Sequence, residues 1–518
     1  MLFNSPEFIF LFLPLTLAIF FLSVHSSAAR ITLVAASLFF YSWQNPANLP
    51  ILLGSILLNY GISSVFLRTE SKNRKFGLWI GIPANLFLLG YFKYANWLAA
   101  STNAWLDANL TVGELALPLG ISFFTFQQIA YLVDAYHKKI VVGRFLDYIH
   151  FVTFFPYITA GPLLRYQQIV PQFFQPQTYQ FQPQNLAIGI TFFAVGLFKK
   201  MVIADSVAPY ANQVFEIAAT TPLTLTEAWL GALAFTLQLY FDFSGYSDMA
   251  IGIARLFGIT LPLNFNSPYK AQSIIDFWRR WHITLSNFLR DYLYIPLGGN
   301  RREGRRYANL MITMLVGGLW HGAGWTFFIW GGLHGLYLSI NHLWRRWRLS
   351  FHQAGSHPTP TFWSQKLGAL LTFAAVVVSW VFFRSTNVMM ATSILKSMAG
   401  FNGISWGELM PNLAVEIEVI EDISEPTDSN VLLIVAGLLI FVWLMPNTQQ
   451  WIGQHRLVDA DSLHSTSTAN VEDSPLQPKL WQKLQWQPND LWAIVSALLT
   501  VAGLLNLSKV SEFLYQEF

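Results

Sequence analysis

Apolar runs long enough to enter or cross a lipid bilayer recur along almost the whole chain, near 7–25, 30–43, 49–67, 76–95, 115–136, 148–164, 186–205, 226–240, 245–259, 307–320, 324–344, 365–384, 431–446 and 488–506. A hydrocarbon core takes roughly 20 apolar residues of helix to span. Inside it, every backbone N–H and C=O must be satisfied by the chain itself. Only 11% of the 518 residues are charged and 53% are hydrophobic, where a soluble domain carries about 25% charged residues. So much apolar surface exceeds what a soluble core can hide. The fold class that follows is an all-α polytopic membrane protein. Several runs are too short to cross unaided, so the expectation is about 11 to 13 spans with re-entrant segments between them.

The 1–518 chain reads as a single membrane domain. Its motif-bearing core covers about 115–345, followed by an acidic loop over 385–430 with Glu416, Glu418, Glu421, Asp422, Glu425 and Asp428. A polar, partly disordered loop is expected over 455–487, then a last span near 488–506. The opening MLFNSPEFIFLFLPL has neither a basic n-region nor a small-residue cleavage site, and reads as a retained first span. Lys and Arg mark cytoplasmic loops: Arg68 to Lys75, Lys138 to Arg144, Arg301 to Arg306 and Arg345 to Arg348. The stretch from Ala95 to Gly113 has no Lys or Arg and reads as external, which also places the N-terminus outside.

The net charge of +3 is spread over loops, with no basic face of the kind that binds nucleic acid. With no cysteine, disulfides, thiolate metal sites and a cysteine acyl intermediate are excluded. HExxH and Walker A motifs are not found, nor is GxSxG in a strand–turn–helix context. His334 and His342 stand eight apart on one helix with no third ligand in view, so no metal site is assigned.

Chemistry concentrates at two histidines. His282 lies in DFWRRWHITLS, and His321 in GGLWHGAGW inside a long apolar region. An ionisable ring is costly in lipid and marks a functional candidate, and histidine accepts and returns a proton near neutral pH. Gly317, Gly318, Gly322 and Gly324 remove bulk beside His321, while Trp320 and Trp325 flank it with rigid apolar faces. A cluster of Asp242, Asp248, Asp276 and Asp291 with Arg255, Lys270, Arg279, Arg280 and Arg290 precedes and surrounds His282. Arg279 and Arg280 fit an interfacial anchor beside Trp281, or a clamp for donor phosphates. Spacing alone leaves each histidine open to a packing role, and His334 and His342 read as structural. Pro and Gly in LPLGISFFTF, and again in FFPYITAGPL, signal broken segments lining a polar interior.

Six ordered blocks carry a resemblance: LPLGISFFTFQQIAYLVDAY, FFPYITAGPLLRY, GLFKKMVIADSVA, YFDFSGYSDMAIGIARLFGI, DFWRRWHITLSNFLRDYLYIPLGGNR and LWHGAGWTFFIWGGLHG. Over about 115–345 and the opening segment, the chain resembles the membrane-bound O-acyltransferase family, in its bacterial alginate O-acetylation branch. The tail after Arg384 lies outside that resemblance. The resemblance implies a ring of helices around a central tunnel, with His321 as catalytic base and His282 at the second site position. Many eukaryotic members carry asparagine there, which implies a hydrogen-bonding role. Substrate contacts are expected from Trp320, Gly322, Arg279, Arg280 and Asp291. No permanently bound cofactor is expected. The implied co-substrate is an acyl thioester, acetyl-CoA or an acylated carrier, arriving from the cytoplasm. The implied setting is the bacterial inner membrane, with a polysaccharide acceptor and a periplasmic acetyltransferase partner. On residues alone, a transporter or a non-catalytic scaffold of an export complex stays open as a rival.

Overall fold

The computed structural model describes residues 1–23, 25–68, 73–113, 115–301, 303–351, 361–404, 428–452, 485–507 and 513–514. The regular structure of the described residues is helical, with no strand among them. In chain order the main helices are α1 (Phe8–Leu22), α2 (Ser26–Ser42), α3 (Asn48–Leu67), α4 (Arg74–Leu106), α5 (Ile121–Tyr136) and α6 (Phe145–Thr153). Then come α7 (Pro183–Ile217), α8 (Leu225–Leu256), α9 (Ile274–Trp278), α10 (Ile283–Leu289), α11 (Glu303–His321) and α12 (Trp325–Ser350). Helices α13 (Phe362–Arg384), α14 (Val388–Met398), α15 (Asp428–Leu444), α16 (Thr448–Ile452) and α17 (Asp490–Leu504) complete the series. Four of them, α3, α4, α7 and α13, are long and apolar enough to cross a membrane. At 1.5 Å per residue, the 20 residues of α3 reach about 30 Å, one hydrocarbon thickness.

Helix starts are set by side chains that take up orphan N–H groups. Ser273 accepts from Asp276 N at α9, Thr361 from Ser364 N at α13, Asn387 from Met390 N at α14 and Asn489 from Trp492 N at α17. The apolar runs near 226–240 and 245–259 turn out to be one helix of 32 residues, α8. The sequence reads as two because Asp242, Ser244, Gly245 and Asp248 interrupt the hydropathy. All four positions are buried, and with no proline between them nothing breaks the backbone. Within the expected acidic loop, Val388–Met398 is helical and α15 already begins at Asp428; Glu416 to Glu425 lie outside the described residues. The polar loop expected over 455–487 lies outside them too, apart from its end.

The described chain divides into two compact units. The first comprises Met1–Met201, Ser244–Asn264 and Pro446–Phe518. Its helices are joined by buried polar contacts of the kind that bind helices in lipid. Asn59 on α3 and Asn85 on α4 exchange amide hydrogen bonds at 3.2 and 2.6 Å. Gln128 on α5 donates to Ser55 on α3 (2.9 Å) and accepts from Tyr148 on α6 (2.9 Å). Helices α7 and α8 cross at glycines. A Cβ on Gly196 would sit 2.5 Å from the Gly245 carbonyl oxygen, and one on Gly252 2.6 Å from that of Gly189. One turn beyond, Lys199 meets Asp248 at 2.6 Å, and Thr448 and Gln449 of α16 also donate to that carboxylate, at 2.6 and 3.2 Å.

Of the two broken segments expected from the sequence, only the one at residues 154–164 is present; the other is a turn ahead of an intact helix. The Pro118–Gly120 turn precedes an unbroken α5, with Gly120 at φ +66° close under the Ile158 carbonyl. Residues 154–164 are non-helical yet buried throughout, as irregular backbone in a membrane must be.

The second unit comprises Val202–Phe243 and Phe265–Met445. Its centre is the hairpin of α11 and α12. Gly331 lies so close to α11 that a Cβ there would collide with the Met314 carbonyl, and one on Gly318 with the Phe327 carbonyl. Gly331 and Gly335 form one small-residue face on α12, against Met314 and Met311 of α11.

Candidate active site

Both histidines sit where a helix of the second unit is interrupted. His321 is the last residue of α11, ahead of the Gly322–Gly324 break before α12. His282 is the N-cap of α10, directly after the turn that ends α9. Its backbone is left-handed, φ 41° and ψ 53°, a conformation that costs an ordinary L-residue about 1–2 kcal/mol. The turn is held by Asn266, whose N–H donates to the Arg280 carbonyl at 2.9 Å. The reversal carries the imidazole of His282 toward α11.

The two rings lie 6.3 Å apart between centroids, and both are buried. Trp320 touches both, at 4.9 Å from His321 and 5.9 Å from His282. His282 is further enclosed by Phe243 (4.8 Å) and Phe265 (6.4 Å). His321 packs against Trp330 of α12 (5.1 Å) and Phe383 of α13 (5.3 Å). Gly322 is filled by a neighbour, because the Phe327 ring occupies the space a Cβ would need. The result is an imidazole pair inside an aromatic enclosure. Such a setting suits proton transfer between a base and a bound hydroxyl while excluding water.

The remaining sequence candidates are placed elsewhere. The Arg280 guanidinium is committed to structure: Nε donates to Asp276 Oδ1 at 2.8 Å, and Nη1 to the Asn266 carbonyl at 3.3 Å. Arg279 is exposed. Asp291 takes a two-point contact from its neighbour Arg290, at 2.6 and 3.0 Å. The structure therefore brings together His282, His321, Trp320 and Gly322, and sets Arg280 in the fold of the α9–α10 turn. Of the other histidines, His342 meets Arg306, and His334 has a defined structural place. Trp278 Nε1 donates to His334 Nδ1 at 3.2 Å. An indole only donates, so the His334 proton is on Nε2, which faces Ser379 Oγ at 3.0 Å. One imidazole thus ties α9, α12 and α13 together.

The sequence does not single out Trp330 and Phe383 as members of this enclosure, or Trp380, which packs against both of them. The signal was available in helical spacing: Trp330 and His334 are four apart on α12, and Ser379 and Phe383 four apart on α13.

The family model of the membrane-bound O-acyltransferases matches residues 71–392. The chain is 44% identical over 440 residues to a peptidoglycan O-acetyltransferase of Helicobacter pylori, covering 78% of this chain and 81% of that protein. It is 36% identical over the whole of both chains to a probable alginate O-acetylase of Pseudomonas syringae pv. tomato. A teichoic acid D-alanyltransferase of Streptococcus thermophilus is 29% identical over 51% of this chain and 68% of its own. With its apolar helices, its paired buried histidines and these matches, the chain is a multi-pass membrane enzyme that transfers acyl groups to oxygen, and it belongs to the membrane-bound O-acyltransferase family.

Proposed function

We propose that the enzyme takes an acetyl group from a thioester donor at the cytoplasmic face and passes it across the bacterial inner membrane for O-acetylation of an exported polysaccharide, alginate or alginate-like. The donor is acetyl-CoA or an acylated carrier. His321 takes the proton of the acceptor hydroxyl as its oxygen attacks the thioester carbonyl, then returns it to the departing thiolate. His282 orients acyl group or acceptor by hydrogen bonding. The observation that carries this reading is the pair of buried imidazoles, 6.3 Å apart, within one aromatic enclosure. The names borne by the relatives, O-acetylation of peptidoglycan and of alginate, support the choice of acceptor class. A periplasmic acetyltransferase partner completes transfer to the glycan.

Replacing His321 by alanine is expected to abolish O-acetylation of the cell's exopolysaccharide while leaving the amount of enzyme in the membrane unchanged. Normal acetylation in that strain defeats the His321 mechanism. In reconstituted vesicles, label from the acetyl donor is expected to appear in acylated product without net solute flux, which separates an enzyme from a carrier.

A further inference from the structure

Three tryptophans of the second unit bury their rings completely: Trp281, Trp330 and Trp380 are each 0% exposed. They pack in a row, with Trp281 and Trp380 tilted at 5.0 Å, and Trp380 and Trp330 nearly parallel at 5.7 Å. Among the described residues, none accepts a hydrogen bond from Nε1 of any of the three. Trp278, in the same cluster, differs, because its N–H is taken by His334 Nδ1. A buried donor without an acceptor is destabilising, and beside a reacting group it is open to an acceptor that a substrate brings.

Acyl transfer brings such an acceptor. As the acceptor oxygen bonds to the thioester carbon, the carbonyl π pair moves onto oxygen, and His321 holds the displaced proton. When the oxyanion collapses, the C–S bond breaks and the thiolate recovers that proton. The charge on oxygen needs a fixed donor in a dry site, and it must reach the carbonyl oxygen while the base reaches the hydroxyl attacking that same carbonyl carbon. Of the three tryptophans with a spare N–H, Trp330 is the one in ring contact with His321, edge to face at 5.1 Å. It is held by the parallel face of Trp380, by His334 at 4.6 Å and by Phe383 at 5.5 Å. The Ser379 hydroxyl is already spent on the Val376 carbonyl (2.7 Å).

We propose that the indole N–H of Trp330 is a catalytic hydrogen-bond donor, engaging the carbonyl oxygen of the acyl thioester and the oxyanion that forms from it. This rests on the acyl-transfer reading above. Trp330 would then act on oxygen while His321 acts on the proton, and His334, through Trp278 and Ser379, keeps the indole in place.

The test replaces only the N–H. Incorporating β-(3-benzothienyl)alanine at position 330 keeps ring size and shape and puts sulfur where the donor was; Trp330→Phe is the coarser companion. With labelled acetyl-CoA as donor, the benzothienyl protein is expected to lose about 10²-fold in kcat, the loss seen when one oxyanion donor is removed, with donor KM changed less than about threefold. A second readout uses two non-reacting analogues of acetyl-CoA: one with CH2 for sulfur and the ketone kept, the other with that ketone reduced to CH2. The unaltered protein is expected to bind the ketone more tightly, and the benzothienyl protein to bind the two alike. Transfer within about threefold of the unaltered rate overturns the proposal, as does an intact ketone preference, which would make Trp330 a packing residue. Transfer absent from the unaltered protein would overturn the acyl-transfer reading and this one with it, whereas equal transfer by both proteins overturns this one alone.

Discussion

His282 occupies a backbone conformation that few side chains share. At φ 41° an ordinary L-residue is strained, a β-branched one most of all, while asparagine and aspartate tolerate the left-handed region. The position therefore asks for two things at once: a polar planar group that reaches toward His321, and a backbone that accepts positive φ. Asparagine meets both. His282→Asn is expected to keep the thermal stability of the purified protein and to keep transfer within about tenfold, since loss of a true acid–base group costs about 10²–10⁴. His282→Val is expected to lose transfer and at least about 1–2 kcal/mol of stability from the backbone alone. Melting curves in detergent and acetyl transfer check both; equal destabilisation by Asn and Val would remove the left-handed backbone as the selecting feature. The sequence made the two rings legible, because an ionisable group in an apolar run is conspicuous. It hid the strained turn, since positive φ at a histidine leaves no hydropathy signal. It also left Arg280 ambiguous between anchor and clamp, although Asp276 four residues earlier was its partner all along.

Among the helices, the α11–α12 hairpin decides where the rings lie. It carries His321 at the end of one arm and Trp330 and His334 on the other. Its two backbones approach at Gly318 and Gly331, where any Cβ meets a carbonyl rather than a yielding side chain. A methyl at Gly331 must push the arms apart, and overpacking of this kind costs about 1–3 kcal/mol. Gly304 lies on the same hairpin with nothing within 4 Å of its would-be Cβ, so alanine there gains up to about 1 kcal/mol of helix propensity. Gly331→Ala is expected to lower both melting temperature and transfer rate, and Gly304→Ala to leave transfer intact with an unchanged or raised melting temperature. The same sign for both would show that close backbone approach does not set the hairpin. Hydropathy located α13, α15 and α17 to within about three residues, because each is one apolar run bounded by polar ends, whereas α11 and α12 extend further into their basic ends. It split α8 in two, because buried Asp242 and Asp248 look like a boundary when their partners, such as Lys199, are distant in sequence. Pairing across the chain is what a run of hydropathy cannot carry.

Orientation belongs to the whole molecule, and the chain makes it measurable. Lys and Arg gather in loops read as cytoplasmic, while Ala95 to Gly113 has none. With no native cysteine, single cysteines can be introduced one at a time against a silent background. Asn109 and Val141 are both exposed and stand on either side of α5, so the proposed topology puts them on opposite faces. A membrane-impermeant maleimide is expected to label Asn109→Cys in intact spheroplasts, and Val141→Cys only after permeabilisation. The reverse pattern would invert the protein and place the donor side outside the cell, where acetyl-CoA is not supplied. Labelling of both from outside would mean that α5, only 16 residues long and about 24 Å at 1.5 Å per residue, enters the bilayer without crossing it. Under the proposed function the orientation of the chain therefore bears directly on its chemistry, because that reading brings the thioester to His321 from the side of the basic loops.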